Sequence, residues 1–241
     1  SRKDHSEVGS SFIHFNFTPN QDKATPSLIG DVPRGVMLDR RPIFLGGQGG
    51  LVGPCRIAYG TVSAAGTIVR KDQLKPDHLV FAGAGKGGSI PWKPGKIGFS
   101  RHILQNNQLY IGNLFALREW YRHVRRVFIS ERFPEALWEG LIVTLDRGLD
   151  ERFKRLREYV EKLGSPDDLQ GLEDFENKLR DRDRDRGDLG LRDLFLEHLS
   201  EQRDPGLRRD DGIAYIDAIK GLRAEIRAVG TQWLQSIVDG G

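Results

Sequence analysis

The chain has 241 residues, 38% hydrophobic and 29% charged, with 37 Lys and Arg against 34 Asp and Glu, the composition of a soluble globular protein of one large or two small domains. No apolar run approaches the roughly 18 residues that cross a bilayer, and the opening SRKDHSEVGS lacks the apolar stretch of a secretory leader. A single cysteine, Cys55, excludes an internal disulfide framework and a cysteine-based zinc cage, so a reducing cytoplasm and no bound metal are expected.

The net charge of +3 hides an asymmetry. Residues 1–100 hold 13 Lys and Arg against 7 Asp and Glu, whereas residues 101–241 hold 24 against 27. A basic half suits small ligands that carry phosphate, and also nucleic acid. Neither follows from charge alone, and a merely solvated surface is the preferred reading.

Along the first half, aliphatic and small residues recur at a spacing that is neither the helical nor the strand period. Leu45, Leu51, Ile57, Ser63 and Val69 stand six residues apart, and Gly49, Cys55, Thr61 and Thr67 follow the first four of them at +4. That hexapeptide pattern predicts a β-solenoid, a left-handed parallel β-helix, in which each hexapeptide makes one short strand and one corner. Ser63 is its weak position. Val8, His14 and Ile29 fit the frame out of phase with residue 45, so the reading places insertions at TPNQDKATPS (18–27) and VPRGVMLDRRP (32–42). Loops of that kind are where function concentrates. An ordinary β-sandwich is the competing account. The glycine run 46–50 allows a close backbone approach, by a ligand or a neighbouring subunit, with tight packing the plain alternative.

Residues 83–88 satisfy a bare G-x-G-x-x-G, but SIPWKPG follows where a dinucleotide fold needs a helix. A flexible hinge is the better reading, leaving Lys86 as a possible phosphate contact. The Gly- and Pro-rich segment 85–101 is taken as a linker between a hexapeptide-repeat domain, 1–84, and an α-helical domain, 102–241.

The second half is helical by periodicity. Tyr110, Leu114, Leu117, Tyr121, Val124 and Phe128 form one stripe. Pro134 opens a helix carrying Leu137, Trp138 and Leu141 towards Leu163, and Gly164 stops it. Ser165-Pro166-Asp167-Asp168 starts the next. A short helix spans 191–199, and a last one carries Ile219, Leu222, Ile226, Val229 and Trp233. Arg118, Arg122, His123, Arg125 and Arg126 crowd one side of the first helix. Phosphate or nucleic acid is one use for them, and ion pairs within the bundle or a solvated face the preferred one; nucleic-acid binding is not expected. The alternating LRDRDRDRGD, 179–188, receives no function.

Residues 6–72 resemble the left-handed β-helix acetyltransferase domain of the bifunctional bacterial N-acetylglucosamine-1-phosphate uridylyltransferase/glucosamine-1-phosphate acetyltransferase family. VGSSFIHFNF, SLIGD and IFLGGQGGLVGPCRIAYGTVSAAGTIVRKD carry the resemblance. It implies acyl transfer from acetyl-CoA to, or recognition of, a phosphorylated or nucleotide-linked amino sugar, and a homotrimer whose clefts lie between copies. It sets Asn16, with Phe17 in place of a tyrosine, and Lys23 against the sugar. Gly47 and Ala65 stand where the family contacts acetyl-CoA. The family's catalytic histidine lies upstream of the matched segment, and its later arginine is replaced, Lys86 being the nearest cation. His14 is the one base nearby, with a pKa suited to the task; a packed histidine is the competing reading. The chain is expected to be part of a longer protein. A second functional reading is a catalytically empty trimeric scaffold that presents the helical domain to a protein partner.

Overall fold

A computed structural model describes residues 13–14, 27–81, 101–163, 166–181, 188–201 and 213–239. Two compact units divide the chain: Ser1–Asp31 with Arg40–Tyr110, and Val32–Asp39 with Ile111–Gly241.

In the first unit the described strands are β1 (Ile13–His14), β2 (Leu28–Ile29), β3 (Phe44–Leu45), β4 (Gly50–Leu51), β5 (Arg56–Ile57), β6 (Val62–Ser63), β7 (Ile68–Val69) and β8 (Leu79–Val80). All pairings are parallel, in the orders β1-β4-β7, β2-β5 and β3-β6-β8. Gly50 stands beside Ile68 and Phe44 beside Val62, so these partners are 18 positions apart. Leu51, Ile57 and Val69 are buried with Cys55, and Ile43, Leu45 and Val80 pack on them. Ser63 is buried too: its Oγ accepts the Gly46 amide at 2.9 Å, which satisfies the hydroxyl inside. Thr61 and Thr67, two of the small +4 positions, are 2% exposed.

The expected fold class, a left-handed β-solenoid followed by a helical domain, is corrected. Among the described residues the structure is 63% helical and forms no solenoid. Among the described residues each strand is two residues long and no sheet exceeds three strands. The six-residue spacing positions short strands and their inward residues, but a residue period carries no information on how far strands stack into walls.

The second unit is built on α2 (Arg101–Glu119, of which Ile111 onward belongs here), α3 (Glu135–Leu163), α4 (Pro166–Asp181), α5 (Leu189–Glu201), α6 (Ile213–Gly221) and α7 (Ala224–Val238). It also takes α1 (Val32–Gly35), from the segment expected to loop out at 32–42. Met37 is 1% exposed and lies against the backbone of Gly230 on α7. The Val32 amide donates to Asn113 Oδ1 at 2.8 Å, and Thr231 Oγ1 donates to the Pro33 carbonyl at 3.2 Å. Residues 18–26 and 82–100, which contain most of the other expected insertion and nearly all of the expected linker, lie outside the described residues.

After α2 the chain widens into π-helix over Trp120–Val124, then tightens into 3-10 helix over Arg125–Phe128. The wide turn adds a residue to the circuit and rotates the helical face beyond it. The buried set is Ile111, Phe115, Ala116, Trp120 and Val124, while Tyr110, Leu114, Leu117 and Tyr121 of the expected stripe are half-buried, so the core side of α2 is already turned from that stripe before the wide turn begins. In α3 the buried positions are Leu149, Phe153, Leu156 and Val160; Leu137 is 47% exposed. The last expected helix is two, because Arg223 is extended (φ −63°, ψ 152°) between α6 and α7.

Candidate functional site

In the first unit the chain turns tightly at Gly47-Gln48 before β4 and at Ala65-Gly66 before β7. Gln48 (φ 55°) and Gly66 (φ 74°) take left-handed conformations, which glycine adopts without strain. The two turns stack: the Gly66 amide donates to the Gly47 carbonyl at 2.9 Å. A Cβ on Gly46 would stand 2.6 Å from the Ala64 carbonyl carbon and the Ala65 nitrogen. The glycine is thus required by backbone packing within the unit.

β4 joins these turns to β1, since Ile13 pairs with Gly50 and His14 with Leu51. One three-stranded ladder therefore gathers the strand bearing His14 and the segments bearing Gly47 and Ala65. Ala65 is exposed and Gly47 half-buried. Asn16, Phe17, Lys23 and Lys86 lie outside the described residues.

Nearby, Asp72 holds this unit's β5 in place. It accepts the Arg56 amide at 2.9 Å and Arg56 Nε at 2.8 Å. Ser27 Oγ accepts the Cys55 amide at 3.1 Å and lies 3.5 Å from Cys55 Sγ. Burial pushes the Cys55 thiol up, away from the thiolate that nucleophilic chemistry needs. The cysteine is a packing residue.

The second unit carries its own charged centre. Glu119, 2% exposed, has Arg118 Nε at 3.5 Å, Arg122 at 3.3 Å and His123 Nε2 at 3.2 Å. Arg118 also donates to Asp146 at 3.1 Å and lies over the Phe115 ring. Three members of the basic cluster therefore converge on one buried carboxylate within the bundle. The remaining two stack on rings, Arg125 between Phe133 and Tyr215 at 4.1 and 3.9 Å, and Arg126 over Trp138 at 5.2 Å.

Beside Arg125 a cavity of about 310 Å³ is lined by Val36, Leu117, Trp120, Tyr121, Tyr215 and Ile216. Trp120 Nε1 donates to the Tyr215 hydroxyl at 3.0 Å. Burial pushes the Tyr215 phenol up, so it stays protonated and able to donate at neutral pH. The sequence marked Arg125 only as one of a basic cluster and Leu117 and Tyr121 only as part of an apolar stripe, while Val36, Trp120, Tyr215 and Ile216, drawn partly from distant stretches, carried no signal. Among the described residues no group of His, Cys, Asp or Glu side chains is arranged to hold a metal ion, and no helix is long and apolar enough to cross a membrane.

The chain matches no family model, no curated protein and no solved structure.

Proposed function

We propose that the chain is a transferase-like protein of sugar-nucleotide chemistry, recognising a phosphorylated or nucleotide-linked amino sugar and engaging acetyl-CoA as acyl donor. The observation that carries this reading is the β1-β4-β7 ladder: the strand of His14 runs beside the segments that present Gly47 and Ala65. Each of the two stacked turns has a glycine, and the space beside Gly66 is open, so a ligand can come close to the backbone there, which suits a thioester carbonyl or a pantetheine arm. The resemblance of 6–72 to sugar-phosphate acetyltransferases supports the same chemistry. In this reading Asn16, Phe17 and Lys23 bind the sugar, Lys86 contacts phosphate, and His14 acts as base on the amine.

Thermal-shift measurements with acetyl-CoA and UDP-N-acetylglucosamine test it. Stabilisation by either compound, lost in Asn16→Ala, is the expected result. No shift with any nucleotide sugar or CoA thioester overturns it.

A second reading, a trimeric scaffold that presents the helical unit to a protein partner, has one observation in its favour. On the β3-β6-β8 sheet Phe44, Val62 and Leu79 stand in register, and Phe44, Leu79 and the following Phe81 are 53%, 60% and 74% exposed. Such an apolar column favours a covering copy of the chain. Light scattering on a sizing column reads the trimer, and Phe44→Asp with Leu79→Asp is expected to give the monomer. A wild-type monomer at all concentrations removes this support.

A further inference from the structure

We propose that the cavity beside Arg125 is a binding site for a small organic anion, one whose carboxylate or phosphate meets Arg125 and Tyr215 while a single apolar ring fills the remainder. The site lies wholly within the helical unit and is independent of the β1-β4-β7 ladder.

The charge comes first. The Arg125 guanidinium carbon lies over two rings, 4.1 Å from the Phe133 centroid and 3.9 Å from that of Tyr215. Contact with ring faces offsets part of the cost of taking the cation out of water and does not use up its N–H donors, which stay available to an anionic acceptor. Its neighbours in the cluster are otherwise committed: Arg118, Arg122 and His123 to Glu119, with Arg118 also on Asp146. Among the described residues no carboxylate forms an ion pair with Arg125. A cation set against two rings, half out of water and without a counter-charge is poised for an anion brought by a ligand.

The second donor follows from the hydrogen-bond direction at Tyr215. Its oxygen accepts from Trp120 Nε1, so its own proton is available to a further acceptor. Arg125 and Tyr215 both line the same cavity.

The rest of the lining selects the body of the ligand. Val36, Leu117 and Ile216 are aliphatic, and Trp120 and Tyr121 add aromatic surface. About 310 Å³ is at the small end of ligand pockets, room for one ring with its acid group and not for a dinucleotide. Two of the lining residues, Trp120 and Tyr121, stand in the π-helical turn Trp120–Val124, a distortion frequent at functional sites.

Phenyl phosphate titrated calorimetrically into the full chain tests the proposal, with benzoate as the carboxylate arm, inorganic phosphate for charge alone and benzyl alcohol for the ring alone. Saturable binding of phenyl phosphate or benzoate is expected, at least ten-fold tighter than either control. Arg125→Gln is expected to weaken it about ten-fold or more, the loss of a charge-assisted hydrogen bond, whereas Arg126→Gln leaves it unchanged. Because Arg125 also packs between rings, Ile216→Trp provides a second variant: it fills the cavity from a half-exposed rim position and is expected to abolish binding with the helical circular dichroism retained. Absence of saturable binding by either anion overturns the proposal. Benzyl alcohol or phosphate binding as tightly as phenyl phosphate does so as well, and so does undiminished binding in Ile216→Trp.

Discussion

Gly230, in the middle of α7, places two opposing effects of similar size in direct competition. Glycine in a helix interior costs roughly 0.5–1 kcal/mol relative to alanine, so Gly230→Ala removes that penalty. The added methyl, however, would stand 2.6 Å from Met37 Cε and 2.6 and 2.7 Å from Phe195 Cε2 and Cδ2. The end of the methionine can swing away. The phenylalanine cannot: it is 0% exposed, with the Trp120 and Trp233 rings at 5.8 and 6.2 Å. Overpacking against so confined a ring costs about 1–3 kcal/mol, so the clash outweighs the helical gain. The expected melting temperature falls by roughly 2–6 °C, at a few degrees per kcal/mol for a unit of this size. Gly140→Ala in α3 and Gly171→Ala in α4 are the controls, since a Cβ there meets nothing within 4 Å; each is expected to raise the melting temperature by about 2 °C. Thermal unfolding followed by circular dichroism at 222 nm reads all three. Gly230→Ala melting at or above the wild type refutes the packing of Met37 and Phe195 on α7.

Glu119→Gln leaves Arg118, Arg122 and His123 around a neutral amide, and is expected to cost roughly 3 kcal/mol in urea unfolding, the low end for a buried pair because Arg122 and His123 are about a third exposed; a loss under 1 kcal/mol contradicts that placement. Ser63→Ala is expected to cost about 1 kcal/mol or less, since the Gly46 amide keeps the Ser63 carbonyl at 3.0 Å. Gly46→Ala, which drives a methyl into backbone, should prevent the first unit from folding, so equal effects of the two substitutions count against the stacked turns. The raised Cys55 pKa stabilises the fold fully below the ordinary thiol range near pH 8.5, and that contribution is lost as pH climbs through the native value, because only the unfolded thiol ionises first. Iodoacetamide at pH 8 should label native Cys55 far more slowly than the urea-unfolded chain, and equal rates would contradict its burial.

Local periodicity was informative wherever one residue's partners are set by its own neighbours. The six-residue spacing identified Leu51, Ile57, Ser63 and Val69 as inward, because a short strand and a turn repeat their geometry each time they recur. It did not convey the extent of stacking, which depends on residues far along the chain. The helical stripes located α3, α4 and α5, the first two with starts signalled by Pro134 and by Ser165-Pro166-Asp167-Asp168. They named Leu114 and Leu117 as core where Ile111, Phe115 and Trp120 fill it, because α2 carries apolar residues on both sides and only the elements packed against it select one, and they missed the π-helix, since no residue in WYRHV marks a widened turn.

The sequence by itself determined which residues are apolar, which positions among 51–69 face inward and where α3, α4 and α5 run, since each depends on backbone preferences and spacing within a few residues. Tertiary structure alone decided that the basic cluster closes on Glu119, that Met37 leaves its neighbours to pack beneath α7, and that Arg125 is held between Phe133 and Tyr215 at a cavity. Those contacts join residues up to about two hundred positions apart, and their energies come from exclusion of water and close packing, which no local pattern encodes.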